Sequence, residues 1–371
     1  MPAMIKNSLS ILHVIMGYPP HIGGAEKQAK LIAENHAKLH HRVTVFTRYK
    51  PGCKRNEIIN NVHIKRFFVE NFKLSQEITS ILIATRILIH HKKYDIVQIH
   101  QGHFLAALVS FVCFLTKKPC YIKIANSGKK FDLLILKNKW YGNFFLKLLL
   151  SSKPSFISIT KQIHTELQDY KVDPNRIFEI PNGVEIKEMN PLAYIAKLKE
   201  RNVSFIGRVE PIKRPELVIK LSSKFLHNVN FNLYGSGSLL KKLESLCETK
   251  KIVNCNVIGP VDNISEVLSN TSVLILPSIT EGMSNAILEA LAYGIPILAS
   301  DIPQNRFILG KDMQAPAGKL VKSDEVEEWA SALKEMLEEK NYQIFSQNTS
   351  KIILDYDIRN TSQLYIDAYT L

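Results

Sequence analysis

Short apolar runs alternate with longer helical patterns along this chain, and this alternation limits the possible folds more than any other feature. Residues 11–16 predict a buried strand, and residues 25–40 predict the helix that follows it. Strands that alternate with helices are typical of a parallel sheet with helices on both faces. The other elements predicted in the first half are strands at 42–47, 95–100, 120–125 and 156–160 and an apolar helix near 104–115.

The same pattern restarts in the second half, and a length of 371 residues fits two domains of ordinary size. The boundary is predicted between Pro181 and Lys197, after a turn-forming Pro-Asn-Gly sequence. The predicted fold class is therefore α/β, with two doubly wound, Rossmann-like domains that bind ligands at the carboxyl ends of their strands. The elements predicted in the second half are strands at 203–207, 230–234, 273–276 and 295–299 and helices at 215–225, 238–249 and 284–293.

The net charge of +14 comes from the first half of the chain. Residues 1–190 contain 28 Lys and Arg against 13 Asp and Glu, whereas residues 191–371 contain 20 against 21. A basic half predicts an anionic partner such as nucleic acid, a phospholipid surface or a phosphorylated acceptor. A solvated basic surface accounts for the same excess equally well.

The cysteine content and the apolar stretches favour a cytoplasmic protein. Five cysteines without a Cys-x-x-Cys pair fit a reducing compartment and no zinc module. The first eight residues lack the apolar core of a signal peptide. The longest apolar stretch, 104–115, is shorter than the about 20 residues that span a bilayer.

Glycines and basic residues follow several of the predicted strands. Gly24 opens the first helix, where backbone amides are able to approach an anion. Gly207 and Arg208 end one strand and Lys213 follows them, and an Arg fork with a Lys point charge suits a diphosphate. Gly235 follows the next strand, where the backbone of a Gly-x-Gly sequence can come close to a phosphate. Tight turns and solvated cations explain each of these features on its own.

The segment from 277 to 289 carries the strongest signal for a binding site. It joins the end of a buried strand to a helix that is predicted to start near Ser284. The carboxylate of Glu281 suits sugar hydroxyl groups, and the amides of Gly282, Met283 and Ser284 point along the helix dipole towards an anion. Glu289 lies further along the same helix, where it can accept a hydrogen bond from a ribose.

Together with the segment 277–289, the glycine and basic motifs make the chain resemble a family-4 retaining glycosyltransferase of the GT-B fold over nearly its whole length. The last of the matching stretches contains two glutamates eight residues apart, Glu281 and Glu289. The matching stretches are GGAEKQ (23–28), IPNGVE (180–185), FIGRVEPIKRPELVIK (205–220), YGSGSLLKKLESL (234–246), VIGPV (257–261) and LPSITEGMSNAILEALAYGIPILASDIP (276–303).

The resemblance implies a cleft between an acceptor-side domain at 1–188 and a donor-binding domain at 189–356. It also implies that a C-terminal helix, about 357–371, is able to pack back on the first domain. In such enzymes the residues at the positions of Arg208 and Lys213 bind the donor diphosphate, and that of Glu281 holds the sugar. Glu289 would hold the ribose, and the backbone near Val261 would touch the base. The implied donor-binding set is Gly24, Gly207, Arg208, Lys213, Gly235, Val261, Glu281, Gly282, Met283, Ser284 and Glu289, with Glu281, Arg208 and Lys213 as the catalytic residues.

The resemblance further implies catalysis without a metal or cofactor, because cations and the helix dipole stabilise the leaving diphosphate. A UDP-sugar is the favoured donor. Many members carry a histidine at the end of the strand at 120–125, where this chain has Ala125, Asn126 and Ser127 instead. Asn126 can donate a hydrogen bond to a sugar oxygen but cannot titrate. Two nearby histidines, His100 and His103, are therefore acceptor-side candidates with Asn126, although a packed or solvated histidine is the ordinary case at a strand end.

Residues 137–150 mix lysines with aromatic residues and leucines, which predicts an interfacial amphipathic helix. A core-facing helix with solvated lysines fits the pattern equally well. With the basic first half, the pattern favours a lipid-linked saccharide acceptor, peripheral contact with an anionic membrane, and a role in surface polysaccharide synthesis. The alternative function is a nucleotide-sugar sensor or partner subunit without turnover. Nucleic acid is not an expected partner, because no recognition motif accompanies the basic half.

Overall fold

The chain forms two compact units, of which the first combines Met1–Gly183 with Ile358–Leu371 and the second is Val184–Asp357. In this computed structural model the described residues are 8–20, 23–68, 72–186, 193–225, 228–309 and 316–371. Each unit is built around one sheet, with eight strands in the first and six in the second.

The sheet of the first unit is parallel apart from one edge strand. Its strands are β1 (Ser10–Val14), β2 (Arg42–Arg48), β3 (Asn56–Ile59), β4 (Val62–Phe67), β5 (Ile96–His100), β6 (Cys120–Ile124), β7 (Ser155–Ser158) and β8 (Ile177–Glu179). They lie in the order β3-β4-β2-β1-β5-β6-β7-β8. Every residue of β1, β5 and β6 is buried, as expected of central strands that are covered on both faces.

The antiparallel hairpin of β3 and β4 was not predicted from the sequence. Its turn residues, Asn60 and Asn61, both have positive φ angles, of 49° and 62°. This conformation is typical of the two-residue turns that match the twist of hairpin strands. The strands themselves carry charged residues and sit at the edge of the sheet, so they lack the apolar runs that identify the central strands.

The helices of the first unit are α1 (Gly24–Lys38), α2 (Ser75–His90), α3 (Phe104–Thr116), α4 (Asp132–Lys137), α5 (Gly142–Ser151) and α6 (Lys161–Asp169), joined by the C-terminal helix α15 (Ile358–Thr370). The last helix is tied to the sheet by two tyrosines. The hydroxyl of Tyr121 donates to the carbonyl of Ala368 at 2.7 Å, and that of Tyr369 donates to the side-chain oxygen of Gln98 at 2.9 Å. Residues 358–371 therefore complete the core of the first unit.

The prediction of a single helix over residues 137–150 is wrong. Helix α4 ends at Lys137 and α5 begins at Gly142, with Trp140 in the turn between them. Gly142 allows this turn, because a Cβ atom there would lie 2.1 Å from the carbonyl oxygen of Leu136. The lysines and aromatic residues of this region are thus divided between two short helices and a turn.

The second unit repeats the parallel α/β pattern, with the strand order β11-β10-β9-β12-β13-β14. Its strands are β9 (Asn202–Ile206), β10 (Asn230–Tyr234), β11 (Cys255–Gly259), β12 (Val273–Leu276), β13 (Ile297–Ser300) and β14 (Gly318–Val321). Its helices are α7 (Ala193–Glu200), α8 (Pro215–Ser222), α9 (Leu240–Thr249), α10 (Ile264–Ser269), α11 (Asn285–Leu291), α12 (Pro303–Leu309), α13 (Val326–Met336) and α14 (Glu339–Ile353). The prediction of two Rossmann-like α/β domains is confirmed. Within the described ranges no helix combines the length and the apolar character that crossing a bilayer requires.

Candidate functional site

The loops after three neighbouring strands of the second unit are joined by backbone hydrogen bonds. The amide of Gly207 donates to the carbonyl of Tyr234 at 3.0 Å, and the amide of Gly235 donates to the carbonyl of Gly259 at 2.8 Å. Gly235 has a φ of +137°, and a Cβ atom there would lie 1.8 Å from the carbonyl oxygen of Gly207. Only glycine fits this contact, so the close packing of the carboxyl ends of β9 and β10 depends on Gly235.

Two charged residues that the sequence places 68 positions apart meet at this edge of the sheet. Lys213 ends a short 3-10 turn after β9, and Glu281 lies in the loop after β12. Their side chains form an ion pair in which 13% of the lysine and 8% of the glutamate side chain is exposed. The amide of Ile279 donates to the carbonyl of Ile212 at 2.9 Å, which ties the two loops together beside the pair. Two charged side chains with so little exposure to solvent tolerate burial because each is the counter-ion of the other.

Arg208 lies at the same edge with an exposed side chain. Its backbone is fixed on the following side, because the amide of Val209 donates to the carbonyl of Ser236 at 2.9 Å. The amide and hydroxyl of Ser238 both donate to the carboxylate of Glu210, at 2.9 and 2.7 Å. These contacts fix the loop on which the Arg208 guanidinium is presented.

The remaining predicted residues of the second unit follow strand ends or lie on the next helix. Gly282 and Met283 belong to the loop after β12, and Ser284 is the N-cap of α11, where its hydroxyl accepts from the amide of Ile287 at 3.4 Å. Glu289 is a half-buried residue of α11, and Val261 follows β11. Since β11, β10, β9 and β12 are adjacent and parallel, their carboxyl ends share one edge of the sheet.

Arg214 organises this edge and was missed in the sequence analysis. Its guanidinium donates to the carbonyl of Pro277 at 2.6 Å and to the hydroxyl of Ser300 at 3.0 Å, and it forms an ion pair with Asp324. These partners follow or end three different strands, so Arg214 links the loop of Lys213 to the rest of the edge. The sequence offers only a weak signal for it, a third basic residue in the run 208–214.

In the first unit, the glycine motif meets the Pro-Asn-Gly motif. Gly24 is the first residue of α1, four positions before Gln28. The side chain of Gln28 donates to the carbonyl of Gly183 at 2.7 Å and accepts from its amide at 3.1 Å. These two hydrogen bonds join the beginning of α1 to Gly183, the last residue of the stretch Met1–Gly183.

The candidate His100 lies in the core, as the end of a chain of three buried histidines. Nδ1 of His13 and Nε2 of His100 are hydrogen-bonded at 3.0 Å, and Nε2 of His13 and Nδ1 of His36 at 3.2 Å. Tyr365 and Tyr369 of α15 pack against the ring of His36. Burial lowers the pKa of all three histidines. Repulsion from Lys123 lowers that of His100 further, and repulsion between neighbouring histidines lowers all three. The three rings are therefore neutral at pH 7, and His13 accepts one hydrogen bond and donates the other.

Lys123 lies beside His100 in the register of β5 and β6 and is 3% exposed. Its Nζ atom has no hydrogen-bond partner among the described residues. Burial lowers the pKa of Lys123 from 10.5 to about 7. A buried amine without a counter-ion loses its proton far more readily than one in water.

The candidates His103 and Asn126 lie in neighbouring loops that Asp132 holds together. The buried carboxylate of Asp132 accepts from the amides of Gly102 and Ala125, at 3.0 and 3.3 Å, and from the side chain of Asn126 at 2.8 Å. His103 is the N-cap of α3 and is half-buried. Asn126 is thus oriented by a carboxylate that no motif in the sequence indicates.

Two Rossmann-like α/β units in one chain are the arrangement of proteins with the GT-B fold. The crystal structure of HepE from Anabaena in complex with UDP and glucose matches with a TM-score of 0.78 and 16% identity, over 97% of this chain and 98% of that chain. A match this complete at low identity shows a shared GT-B fold.

The family follows from the sequence models. Residues 22–188 match the model of Glycosyltransferase Family 4, and residues 192–352 match that of Glycosyl transferases group 1. Together the two models cover most of the chain, which therefore belongs to the family-4 type of glycosyltransferases, as the motifs predict.

Curated relatives cover most of the chain. The UDP-Gal:alpha-D-GlcNAc-diphosphoundecaprenol alpha-1,3-galactosyltransferase of Escherichia coli is 27% identical, over 82% of this chain and 84% of its own length. The capsular polysaccharide biosynthesis glycosyltransferase CapH of Staphylococcus aureus is 25% identical, over 76% of this chain and 78% of its own length.

Proposed function

We propose that this glycosyltransferase moves a sugar from a nucleotide diphosphate donor, with a UDP-sugar favoured, to a saccharide or lipid-linked saccharide. Transfer retains the anomeric configuration, needs no metal, and serves surface polysaccharide synthesis on the cytoplasmic side of a membrane. The observation that carries the proposal is the ion pair of Lys213 and Glu281 at the edge of the sheet that also presents Arg208.

The charges at this edge suit a diphosphate that leaves as the sugar departs. Negative charge grows on the diphosphate when its bond to the anomeric carbon breaks, and fixed cations stabilise that charge. The guanidinium of Arg208 offers a bidentate fork, and the ammonium of Lys213 offers a second positive charge on the neighbouring loop. In this arrangement two side chains replace the divalent ion that other sugar transferases use.

Glu281 is suited to hold the transferred sugar. Its pairing with Lys213 fixes the orientation of the carboxylate, whose oxygens are suited to accept hydrogen bonds from sugar hydroxyls. Glu289 and the backbone near Val261 are assigned to the ribose and the base. Gly24 is assigned to the donor, and His103 and Asn126 are assigned to the acceptor side, with His100 buried behind them in the core.

The relatives support a UDP-sugar and a lipid-linked acceptor. The E. coli relative is named for transfer from UDP-Gal to a saccharide on diphosphoundecaprenol, and CapH is named for capsular polysaccharide synthesis. The solved HepE structure contains UDP and glucose. A basic first half fits an acceptor that carries a diphosphate.

The test is transfer from radiolabelled UDP-sugars to saccharide and undecaprenyl diphosphate saccharide acceptors, with and without EDTA. We expect transfer that survives EDTA, and a product whose anomeric proton coupling matches that of the donor. Loss of activity in EDTA would contradict the metal-independent mechanism. Binding of a UDP-sugar without transfer or hydrolysis would favour the sensor function instead.

We further propose that the turn between α4 and α5 docks on an anionic membrane. Trp140 is 92% exposed and Phe144 is 68% exposed, and Lys137, Lys139 and Lys147 are exposed beside them. These five residues are called the aromatic-lysine surface. Aromatic rings settle at the lipid headgroup level, and each lysine near an anionic leaflet contributes about 1 kcal/mol.

Liposome co-sedimentation tests this surface. A variant with Lys137, Lys139 and Lys147 changed to Glu should lose binding to anionic vesicles, whereas wild-type binding should weaken with salt. The matched control changes the exposed Lys241, Lys250 and Lys340 of the second unit to Glu, and should bind as the wild type does. Equal binding by both variants would contradict the assignment.

A further inference from the structure

A cavity of about 440 Å³ lies in the first unit between the β2–β4 edge of the sheet and the end of α2. Thr44 and Phe46 of β2 are in register with His63 and Lys65 of β4, so all four residues belong to one face of the sheet. From α2 the cavity is lined by residues one helical turn apart, Arg86 and His90. Lys93 and Tyr94, which precede β5, also line the cavity. Its volume lies within the range of about 300–1,000 Å³ that is usual for small-ligand sites.

Basic side chains dominate the lining. His63, Lys65, Arg86, His90 and Lys93 all line the cavity. Among the lining residues there is one carboxylate, that of Glu57, and it is already paired with the guanidinium of Arg66, which does not line the cavity. The positive charge of the cavity is therefore not balanced by its own lining.

The basic groups repel one another across the cavity. Burial, together with the charges of Arg86 and Lys93, lowers the pKa of Lys65. Burial and the charges of Arg86, Lys93 and Lys65 lower the pKa of His90. The Nε2 atom of His90 is shielded from solvent and has no hydrogen-bond partner within the described ranges. Like charges held this close together repel one another and destabilise the folded chain. A bound anion would relieve the repulsion, because the cations would share it as a counter-ion.

Apolar residues complete the walls. Phe46 and Tyr94 line the cavity, and Ile58, of which 62% is exposed, lies at its rim. Apolar walls with a few convergent cations suit an organic anion better than a bare inorganic one. Lys93 and Tyr94 precede β5, whereas His103 and Asn126 follow the carboxyl ends of β5 and β6. The cavity is thus separate from the acceptor-side candidates of the same unit.

We propose that this cavity is a binding site for a phosphate-bearing anion, distinct from the residues assigned to sugar transfer. Arg86 supplies the bidentate fork, Lys65 and Lys93 supply point charges, and the unpartnered His90 nitrogen supplies a further hydrogen bond. A soluble organic phosphate and a phospholipid headgroup both offer this chemistry, and the experiment has one arm for each.

The decisive variant is the double change Lys65→Gln and Arg86→Gln. Its matched control is Lys54→Gln with Lys92→Gln, which removes the same charge from exposed positions of this unit that do not line the cavity. All proteins carry Arg208→Ala as well, so that anion binding at the proposed donor site contributes little. Because only the difference between variant and control is read, failure of the proposed donor site leaves this test intact.

In the first arm, calorimetry measures binding of phenyl phosphate, a soluble organic phosphate. The cavity variant should lose about ten- to hundredfold in affinity, as expected when charge-assisted hydrogen bonds are removed, and the control should not. Without anion, the cavity variant should unfold at the same temperature as the control or higher, because repulsion is relieved. A lower unfolding temperature together with lost binding would indicate a structural role and overturn the proposal.

In the second arm, proteins are sedimented with phosphatidylcholine vesicles with and without phosphatidate. Dependence on Lys65 and Arg86 in this arm alone identifies a lipid headgroup, and dependence in the first arm alone identifies a soluble phosphate. Dependence in both arms identifies a site that accepts either. If the cavity variant and the control behave alike in both arms, the proposal is wrong.

Discussion

The strand ends of the two units carry polar groups in opposite electrostatic states. In the second unit the charges are compensated or reach solvent, as in the pair of Lys213 with Glu281 and the exposed Arg208. In the first unit burial removes positive charge from the buried bases. It lowers the pKa of His13 and its two histidine neighbours, and it lowers that of Lys123 to about 7, so that the lysine is about half protonated at pH 7. The side chains at the strand ends of the second unit thus keep their charges, whereas the buried bases of the first unit lose part or all of theirs near pH 7.

This difference separates the proposed site of catalysis from the part of the chain whose stability depends on pH. Fixed, paired charges respond little to pH near neutrality, so the second unit is suited to bind a diphosphate over a broad range. As the pH falls, a neutral base in the core can be protonated only at the free-energy cost of placing a charge away from water. Changes in pH should therefore act first on the first unit.

The largest expected effect is acid destabilisation of the first unit. His13, His36 and His100 have pKa values lowered in the folded chain, whereas in the unfolded chain they titrate near 6.5. The unfolded state therefore binds more protons below pH 6.5, so the contribution of these histidines is complete above that pH and is lost as the pH falls. At pH 5.5 the three together should cost about 4 kcal/mol of the free energy of unfolding.

Native-state hydrogen exchange at pH 7 and 5.5, corrected for intrinsic exchange rates, measures this effect separately in each unit. Amides of β1 and β5 should lose protection at pH 5.5, and amides of β9 and β12 should lose much less. Equal loss in both sheets would break the comparison between the units.

The next largest effect is that of Glu281→Gln on transfer. The variant keeps the shape of the side chain but removes the charge that pairs with Lys213, and kcat should fall about 10²–10³-fold, as when one preorganised group is removed. It should also lower stability, because the Lys213 ammonium is left little exposed and unpaired.

A double variant separates these two losses. Glu281→Gln combined with Lys213→Met removes the unpaired charge, so the unfolding temperature should return towards that of the wild type while activity stays lost. Recovery of transfer in the double variant would show that the pair has only a structural role.

How much of each unit the sequence predicts follows from the same comparison. Buried parallel strands such as β1 and β5 consist mainly of apolar, often β-branched residues, so they were predicted, whereas the charged edge hairpin of β3 and β4 was not. Arg208, Lys213 and Glu281 were selected as candidates because such side chains beside strand ends suit a diphosphate and a sugar, and because the family resemblance implies these roles for them. The structure places Lys213 and Glu281 in contact at the edge that carries Arg208.

The polar partners of the first unit have no such signal. His13 meets His100 and His36 across 87 and 23 positions of the chain, and only the register of β1 with β5 and the packing of α1 bring them together. Asp132 is likewise one acidic residue among many until the loops around it are placed. Pairings made inside a core depend on tertiary packing, which local patterns do not encode.

The third prediction concerns Lys123→Met, which should stabilise the chain by about 2–4 kcal/mol at pH 7, since an apolar side chain replaces a buried unpaired charge. The folded pKa of about 7 lies below the unfolded value of 10.5, so the unfolded state binds more protons between these values. Stability of the wild type should therefore rise as the pH increases from 7 to 10.5, and the advantage of the variant should shrink over the same window.

Urea unfolding at pH 7 and at pH 9.5 measures both quantities. A variant that is less stable than the wild type at pH 7 would show that Lys123 has a counter-charge in solution. A constant advantage at both pH values would show that packing, and not the proton, accounts for the gain.

The smallest expected effect is that of Arg208→Gln on binding of UDP, and it has a matched control on the same strand. Arg201 and Arg208 are both exposed and flank β9, the first before its amino end and the second after its carboxyl end. Arg208→Gln should weaken UDP binding by about 1.5–3 kcal/mol, the contribution of a hydrogen bond to a charged group, whereas Arg201→Gln should leave it unchanged. Neither variant should change the free energy of unfolding by more than about 0.5 kcal/mol, since both side chains are exposed. Calorimetry at two salt concentrations completes the test, because the lost interaction is electrostatic and its contribution falls with ionic strength. If the two variants bind UDP equally, net charge rather than position governs binding, and the carboxyl edge of this sheet loses its special role.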